Sequence, residues 1–185
     1  MKPLRPFPFP LNIGTDICRI SRIYAILKSP RRGTRFVKRI FAPEEQARRD
    51  HRLQCLVEHR PLHNASSDEA RGLSEMVDVS SEEIARRDPE WWAAASFVAG
   101  RFAAKEAAIK AHSHRRLTFH DVVIERRGRN EERLGSGPPV ARIKGGGGED
   151  GGEDASAMIS ISHDGDYATA VCMAYDPSVV GGGGC

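Results

Sequence analysis

Long apolar runs are missing from this chain of 185 residues: none approaches the roughly 20 residues that a membrane-spanning helix needs. We therefore expect no membrane segment. The four cysteines are scattered and form no C-x-x-C pair, which is typical of a reducing compartment and not of a disulfide framework. The Gly-rich stretch at about 145–154 lacks the Gly-Lys-Ser/Thr ending of a phosphate-binding loop, so we predict a flexible acidic loop there.

The N-terminal stretch MKPLRPFPFPL is basic and contains no acidic residue. Its prolines argue against a long amphipathic helix, and no signal-peptide core follows, so we do not expect cleavable secretion. The mitochondrion and the cytoplasm both stay open on this evidence.

Length and composition predict one globular domain over residues 1–185, with 39% hydrophobic and 29% charged residues. Besides the Gly-rich loop, we expect a polar insertion at about 61–88. The stretch at about 177–185, which ends in GGGGC, is expected to be a disordered tail.

The hydrophobic pattern predicts an α+β fold. LNIGTDI reads as a strand that ends in a tight turn at Gly14, and an amphipathic helix is expected over 17–29. Asp88, followed by a proline and a glutamate, begins what should be the longest helix. After Arg115, four short segments rich in β-branched residues predict strands. We therefore expect an antiparallel sheet packed on one long and one or two shorter helices.

The predicted long helix contains RFAAKEAAIKA, an alanine-rich stretch with charges at helical spacing. Glu106 and Lys110 are four residues apart and share one helix face, and Arg101 and Lys105 share a neighbouring face. Taken alone, the Glu106–Lys110 spacing indicates an ordinary solvated pair, which stabilises a helix by about 0.3–0.5 kcal/mol.

Asp16 and His163 each have a structural and a functional interpretation. Asp16 stands at the end of the first predicted strand, where its carboxylate either points into a cleft or caps the next helix. His163 stands just beyond an alternating strand and before a hairpin-turn sequence, so it is either a surface residue or part of a site. Neither residue decides between these interpretations alone.

His51, Cys55, His59 and His63 are spaced four apart and form a rival metal-binding candidate. Pro61 breaks a helix before the last of them, and the spacing is not that of a familiar zinc site. We expect a partly exposed helix edge there.

Several of these stretches occur in one order along the chain: GTDI followed by RI, then GRFAAKEAAIKA, then SISH near the C-terminus, with FHDVVIE after the long helix. This ordered set resembles the holo-acyl-carrier-protein synthases, the small class of 4′-phosphopantetheinyl transferases, over roughly 13–41 and 97–175. The resemblance implies an enzyme that transfers the 4′-phosphopantetheine of coenzyme A to a serine of apo-acyl carrier protein. The other product would be adenosine 3′,5′-bisphosphate.

The resemblance also assigns roles to residues. It implies that Asp16 and Glu106 hold Mg²⁺, an ion that takes one or two carboxylates and completes its shell with phosphate and water. It makes Asp16, Glu106 and Lys110 the catalytic residues, with Lys110 on the pyrophosphate and either acid as the general base. The implied coenzyme A contacts are Asp16, Arg101, Lys105, Glu106, Lys110 and His163.

Every ionised side chain between Asp16 and Glu44 is positive, although the net charge of the whole chain is only +3. A solvated face, a nucleic-acid patch and a dock for an acidic protein are the three interpretations. Few aromatics interleave with the cations and the pI is near 8.8, so we expect no nucleic-acid binding. The resemblance favours docking of the acidic carrier protein, on Arg22, Arg35 and Arg39. A non-catalytic basic module that binds acidic partners is the alternative.

The chain departs from compact bacterial members of that family. The segment between Arg48 and Phe97 is longer, and the Gly-rich loop is an insertion. Such insertions suggest a eukaryotic-type member, and eukaryotic members often serve a mitochondrial carrier, so the mitochondrion is favoured over the cytoplasm. The resemblance further implies a homotrimer with active sites between subunits.

Overall fold

The structure is a computed structural model, and it describes residues 9–58, 80–126, 138–146 and 152–177. Its helices are α1 (Ile20–Leu27), α2 (Pro30–Ile40), α3 (Pro43–Ala47), a 3₁₀ turn (His51–Leu53), α4 (Gln54–Glu58), α5 (Ser81–Arg87) and α6 (Pro89–Ala111). Its strands are β1 (Leu11–Arg19), β2 (Val122–Arg126), β3 (Pro139–Ile143), β4 (Ala155–Asp164) and β5 (Tyr167–Tyr175).

The described strands form one antiparallel sheet in the order β1-β5-β4-β3-β2. The 23-residue α6 packs across one face of this sheet, chiefly against β1 and β5. The shorter helices α1 and α2 follow β1 directly in the chain, and α1 packs against α6. The predicted α+β fold, with an antiparallel sheet on one long helix, is confirmed.

Gly14 lies in the middle of β1, so the predicted turn at this position is wrong. The glycine serves a close approach between strand and helix. A Cβ added to Gly14 would overlap the carbonyl oxygen of Ala107 and lie 2.6 Å from the amide nitrogen of Ala111, both in α6. Only glycine lets β1 and α6 come this near to each other.

The first helix begins at Ile20, three residues later than predicted, and its N-terminus is held by Asp166 from the β4–β5 turn. The Asp166 carboxylate accepts hydrogen bonds from the Ser21 amide and the Ser21 hydroxyl, both at 2.8 Å, and from Arg19 Nε at 2.7 Å. Helix capping is therefore supplied by Asp166 and not by Asp16.

The predicted polar segments are only partly described. Residues 61–79 of the expected insertion lie outside the described ranges, while α5 occupies most of the rest. In the expected Gly-rich loop, Asp154 accepts hydrogen bonds from the Gly145 amide at 2.9 Å and from Arg142 Nη1 at 2.7 Å, and residues 147–151 lie outside. The expected tail lies outside from residue 178 onward.

The alanines of α6 bring the helix close to the sheet, because their side chains are small, and most of them are fully buried. Trp91 and Val98 are buried, and Phe102 and Ile109 pack partly buried against the same core. No helix in the described ranges has the length and apolarity to cross a membrane.

The sheet has one covered and one uncovered face. Side chains alternate along β1, so Asn12, Gly14, Asp16 and Cys18 face α6 and the residues between them face outward. The outward face is apolar and exposed over several strands: its members include Leu11, Ile13, Ile17, Met158, Val171 and Tyr175.

Candidate active site

Asp16 and Lys110 form the centre of the candidate site. Asp16 comes two residues after Gly14 on the helix-facing side of β1, where strand and helix are close together. Lys110 Nζ donates to Asp16 Oδ1 at 2.8 Å and to the Thr15 carbonyl oxygen at 2.9 Å. The Lys110 side chain is 51% exposed, so this pair stabilises the fold by only about 0–1 kcal/mol.

The second carboxylate oxygen of Asp16 lacks a partner. Among the described residues, Asp16 Oδ2 is the buried side-chain polar atom that has no hydrogen bond. Leaving such an atom unsatisfied costs about 1–3 kcal/mol. Glu106 lies one turn before Lys110 on α6, so a second carboxylate is carried beside the pair. A cation or a hydrogen-bond donor at this position would satisfy Asp16 Oδ2.

Asp16 and Glu106 fit Mg²⁺. Both offer carboxylate oxygens, and Mg²⁺ typically takes one or two of these while water and phosphate complete its shell. In the part of the chain that the structure describes, no group of three or more His, Cys, Asp or Glu side chains is arranged to hold a metal. An ion that needs three or four protein ligands, such as zinc, does not fit this pair.

The rival metal candidate is only half described. His51 is 88% exposed and lies 3.8 Å from Asp50, whereas Cys55 is buried. His59 and His63 lie outside the described ranges.

Glu106 lines an open cavity of about 620 Å³. Its other walls are Arg39 of α2, Ile109 of α6 and the segment Leu117–His120 that precedes β2. Arg39, a predicted docking residue, therefore lies on the same cavity as a predicted metal ligand.

Arg22, another predicted docking residue, lies beside Cys18 and Phe102. Its guanidinium is 3.6 Å from Cys18 Sγ and 5.6 Å from the centroid of the Phe102 ring, one turn before Glu106 on α6. Arg35 is exposed on α2. Within the described ranges, the five basic side chains of α2 form no ion pair with an acid, which leaves their charge available to a partner: Arg31, Arg32, Arg35, Lys38 and Arg39.

His163 and Arg101 lie together in a second pocket of about 440 Å³. His163 Nε2 is 3.1 Å from the Ser96 carbonyl oxygen; because a carbonyl only accepts, Nε2 carries the proton. The Arg101 guanidinium is 5.1 Å from the centroid of the Phe97 ring and donates to the Ile124 carbonyl oxygen at 3.3 Å. This pocket brings two of the predicted coenzyme A contacts together.

Arg52 and Arg126 line the same pocket and were missed by the sequence analysis. Arg52 lies 3.7 Å from the centroid of the Phe97 ring and is oriented by Asp50, at 2.6 and 2.8 Å. The hydrogen bonds from Arg52 lower the pKa of Asp50 to about 2. Burial is the main cause that lowers the pKa of Arg101; Glu45 and Asp50 oppose it, while the cations Arg52 and Arg126 add to it.

Lys105 lines neither of these two pockets. Its amine is fully buried, forms an ion pair with Glu45, and donates to the Phe119 carbonyl oxygen at 2.9 Å. A contact between Lys105 and a substrate phosphate would require this pair to open.

The predicted site residues thus form two groups on α6. Arg101 precedes Lys110 by nine residues, about two and a half turns at 3.6 residues per turn, so their side chains leave opposite sides of the helix. Asp16 and Glu106 belong with Lys110 on the β1 side, and His163 of β4 belongs with Arg101.

The fold is similar to that of a solved holo-acyl-carrier-protein synthase from Plasmodium yoelii, with a TM-score of 0.52 and 23% sequence identity. The superposition covers 89% of this chain and 94% of that one.

Sequence comparison identifies the family. A curated protein of Aspergillus fumigatus, 4′-phosphopantetheinyl transferase B, mitochondrial, is 34% identical over 173 residues, which is 92% of this chain and 97% of the relative. The model of the 4′-phosphopantetheinyl transferase superfamily matches residues 12–172. The predicted resemblance is confirmed: the chain belongs to the 4′-phosphopantetheinyl transferase superfamily and is a transferase enzyme.

Proposed function

We propose that this enzyme transfers the 4′-phosphopantetheine group of coenzyme A to a serine hydroxyl of apo-acyl carrier protein and releases adenosine 3′,5′-bisphosphate. The proposal is carried by the Asp16–Lys110 pair beside Glu106, with one Asp16 oxygen buried and unpartnered. Membership of the family supports the same reaction.

The reaction needs positive charge at a defined place. The serine oxygen attacks phosphorus in a pyrophosphate that is already negative, and charge builds on the departing phosphate. Lys110 is oriented for this role, because Asp16 and the Thr15 carbonyl hold its amine before substrate arrives. The serine proton passes to a carboxylate, and Glu106 and Asp16 are the two candidates for that base.

We propose that Asp16 and Glu106 hold Mg²⁺. The unpartnered Asp16 Oδ2 supports this, since a cation would satisfy it. When bound, the ion would supply neutralisation of the pyrophosphate charge.

The second pocket is proposed to bind phosphate of coenzyme A through Arg101 and His163, with Arg52 and Arg126 beside them. Arginine is suited to this because its planar guanidinium donates to two phosphate oxygens at once.

Gly100→Ala tests the position of His163. The new Cβ would lie 2.8 Å from His163 Nε2 and 3.1 Å from Cε1, so the imidazole must move and lose its bond to Ser96. We expect about fivefold weaker coenzyme A binding by calorimetry, with stability lowered by about 1 kcal/mol because only a side-chain end has to give way. Unchanged binding would show that His163 does not contribute to coenzyme A affinity.

We propose that the enzyme assembles as a homotrimer. The two groups of predicted coenzyme A contacts leave opposite sides of α6, which is compatible with a substrate bound between two copies. The exposed apolar outer face of the sheet offers a surface for self-association, with Ile13 and Ile17 each 64% exposed.

Ile17→Lys is expected to break this assembly, because it places a charge in the middle of an apolar interface. Sedimentation should give three times the 20.4 kDa chain mass for the natural protein and one chain mass for the variant. Val57→Lys changes an equally apolar residue, 73% exposed on α4, and should leave the trimer intact. A natural protein that sediments as one chain at micromolar concentration would contradict the proposal.

The basic side chains of α2, with Arg22 on α1, are proposed to dock the acidic carrier. Arg35→Glu should raise the KM for the carrier about tenfold and leave the KM for coenzyme A unchanged, since an exposed charge chiefly affects encounter. Arg86→Glu, an exposed arginine of α5, is the control. Equal KM values for the carrier in the two variants would show that α2 is not part of the docking surface.

The proposed function is tested by incubating the protein with coenzyme A, Mg²⁺ and a panel of apo-acyl carrier proteins, followed by mass spectrometry of the carrier. We expect the added mass of phosphopantetheine on one serine, and none after chelation of Mg²⁺. A panel without any modified carrier would refute the proposal. The Aspergillus fumigatus relative is named as mitochondrial, which supports a mitochondrial carrier as the first to test.

A further inference from the structure

The Lys105–Glu45 pair is a buried charge pair that neither pocket explains. The Lys105 side chain is 0% exposed and the Glu45 side chain 4%. Burying two opposite charges costs much of what their attraction returns, and apolar replacements of such pairs are often equally or more stable. Stability alone therefore does not account for this pair.

The pair joins four parts of the fold. Glu45 accepts hydrogen bonds from the Ala42 amide at 2.8 Å and from the Ile124 amide at 3.1 Å, and Lys105 donates to the Phe119 carbonyl oxygen at 2.9 Å. One ion pair thus connects the start of α3, the second half of α6, strand β2 and the segment that precedes β2.

That segment, Leu117–His120, is the wall of the cavity that also contains Glu106. Lys105 ties it to α6, and His120 Nε2 ties it to α2 by donating to the Lys38 carbonyl oxygen at 2.9 Å. The Phe119 ring packs 5.6 Å from that of Phe102 on α6. The wall is therefore held between the helix that carries Glu106 and the basic helix α2.

We propose that Lys105 and Glu45 are positioning residues for the transfer: by holding the Phe119 carbonyl they fix the cavity wall that receives the serine segment of the carrier beside Glu106. The inference rests on the proposed function. In this proposal Lys105 binds Glu45 and the Phe119 carbonyl and does not bind substrate. If Lys105 turned to a substrate phosphate, the Glu45 carboxylate would be left buried and unpaired.

The test is the double variant Glu45→Gln/Lys105→Met. It removes both charges together, keeps a Gln oxygen as acceptor for the Ile124 or Ala42 amide, and deletes the donor to Phe119. We expect a melting temperature within a few degrees of the natural protein, a kcat lowered about 10–100-fold, and a KM and calorimetric affinity for coenzyme A within about twofold. If the double variant does not fold, Glu45→Asp, which keeps both charges and shortens the side chain that anchors Lys105 by one methylene, should lower kcat at least about threefold.

The matched control is Glu83→Gln/Arg87→Met, which removes an exposed ion pair within α5. It should leave kcat and both KM values unchanged. Weakened coenzyme A affinity at unchanged kcat in the Lys105 variant would make Lys105 a substrate ligand and overturn the proposal. An unchanged kcat, or an activity that falls only with the folded fraction, would overturn it as well.

Hydrogen exchange separates this inference from the proposed function. The Asp121 amide donates to the Thr118 carbonyl oxygen at 3.1 Å and reports on the wall segment. Its exchange should be about tenfold faster in the double variant while β4 and β5 stay protected. If the natural protein modifies no carrier, the proposed function fails and this measurement still decides the positioning: equal exchange in both proteins refutes it.

Discussion

Asp16→Asn is expected to lower the transfer rate by about 10²–10³-fold while the protein stays folded. Asparagine has the same shape, and its carbonyl oxygen can still accept the bond from Lys110, so the pairing of β1 and α6 is retained. It lacks the negative charge, however, and its amide group offers no second oxygen where Asp16 Oδ2 is buried without a partner. We expect stability within about 1 kcal/mol of the natural protein.

Two measurements separate the site from the fold in this variant. Calorimetry with coenzyme A should lose its dependence on Mg²⁺, and the thermal unfolding curve should stay in place. Glu90→Gln is the matched control, because it neutralises an exposed acid at the opposite end of α6, and it should transfer at the natural rate. If Asp16→Asn transferred at nearly the natural rate, the reaction would not depend on the Asp16 carboxylate.

The non-catalytic basic module differs from the enzyme in this experiment. A protein that only docks acidic partners has no Mg²⁺-dependent coenzyme A binding to lose, so Asp16→Asn would change nothing. The membership of the chain in a transferase family weighs against this alternative, although α2 carries cations that such a module would use and that pair with no acid among the described residues.

Much of the fold could be predicted because its signals are local. Strands β2 to β5 follow from short β-branched segments, and α6 follows from the Asp88-Pro89 start and a long helical period. Even there the local reading of Asp88 was incomplete. Its side chain makes no cap bond and instead accepts from the Tyr24 hydroxyl at 2.8 Å and from Lys28 at 2.9 Å, because residues distant in the chain compete for it.

The surroundings of Glu45, Arg52 and Arg126 could not be predicted for the same reason: they depend on residues that are distant in the chain. Glu45 reads as an acid in the first turn of a helix, where it would favour the helix dipole, and its partner Lys105 is 60 residues away. The proximity of Arg52 and Arg126 to His163 likewise depends on how the sheet and α6 pack. The roles predicted for Asp16, Glu106 and His163 rest on the ordered motifs, because periodicity alone leaves a capping acid, a solvated pair and a surface histidine equally acceptable.

Gly14→Ala is expected to cost about 3 kcal/mol or more of folding free energy. The added Cβ would overlap the Ala107 carbonyl oxygen and lie 2.6 Å from the Ala111 amide nitrogen, and both atoms belong to the backbone of α6. No side chain can rotate away, so the whole helix must move off β1. For a domain of this size we expect the melting temperature to fall by roughly 6–12 °C.

The same displacement should lower the transfer rate, because the helix that must move carries Lys110 and Glu106 while Asp16 stays on β1. A misplacement of about 1 Å can cost about 10²-fold in rate, so the folded fraction of Gly14→Ala should be a poor enzyme even at a low temperature where it is fully folded. Gly146→Ala is the control, since a Cβ there meets no atom within 4 Å, and urea unfolding should give it the natural stability. If Gly14→Ala were as stable and as active as Gly146→Ala, then β1 and α6 would not be in the close contact that brings the two acids and the lysine to one site.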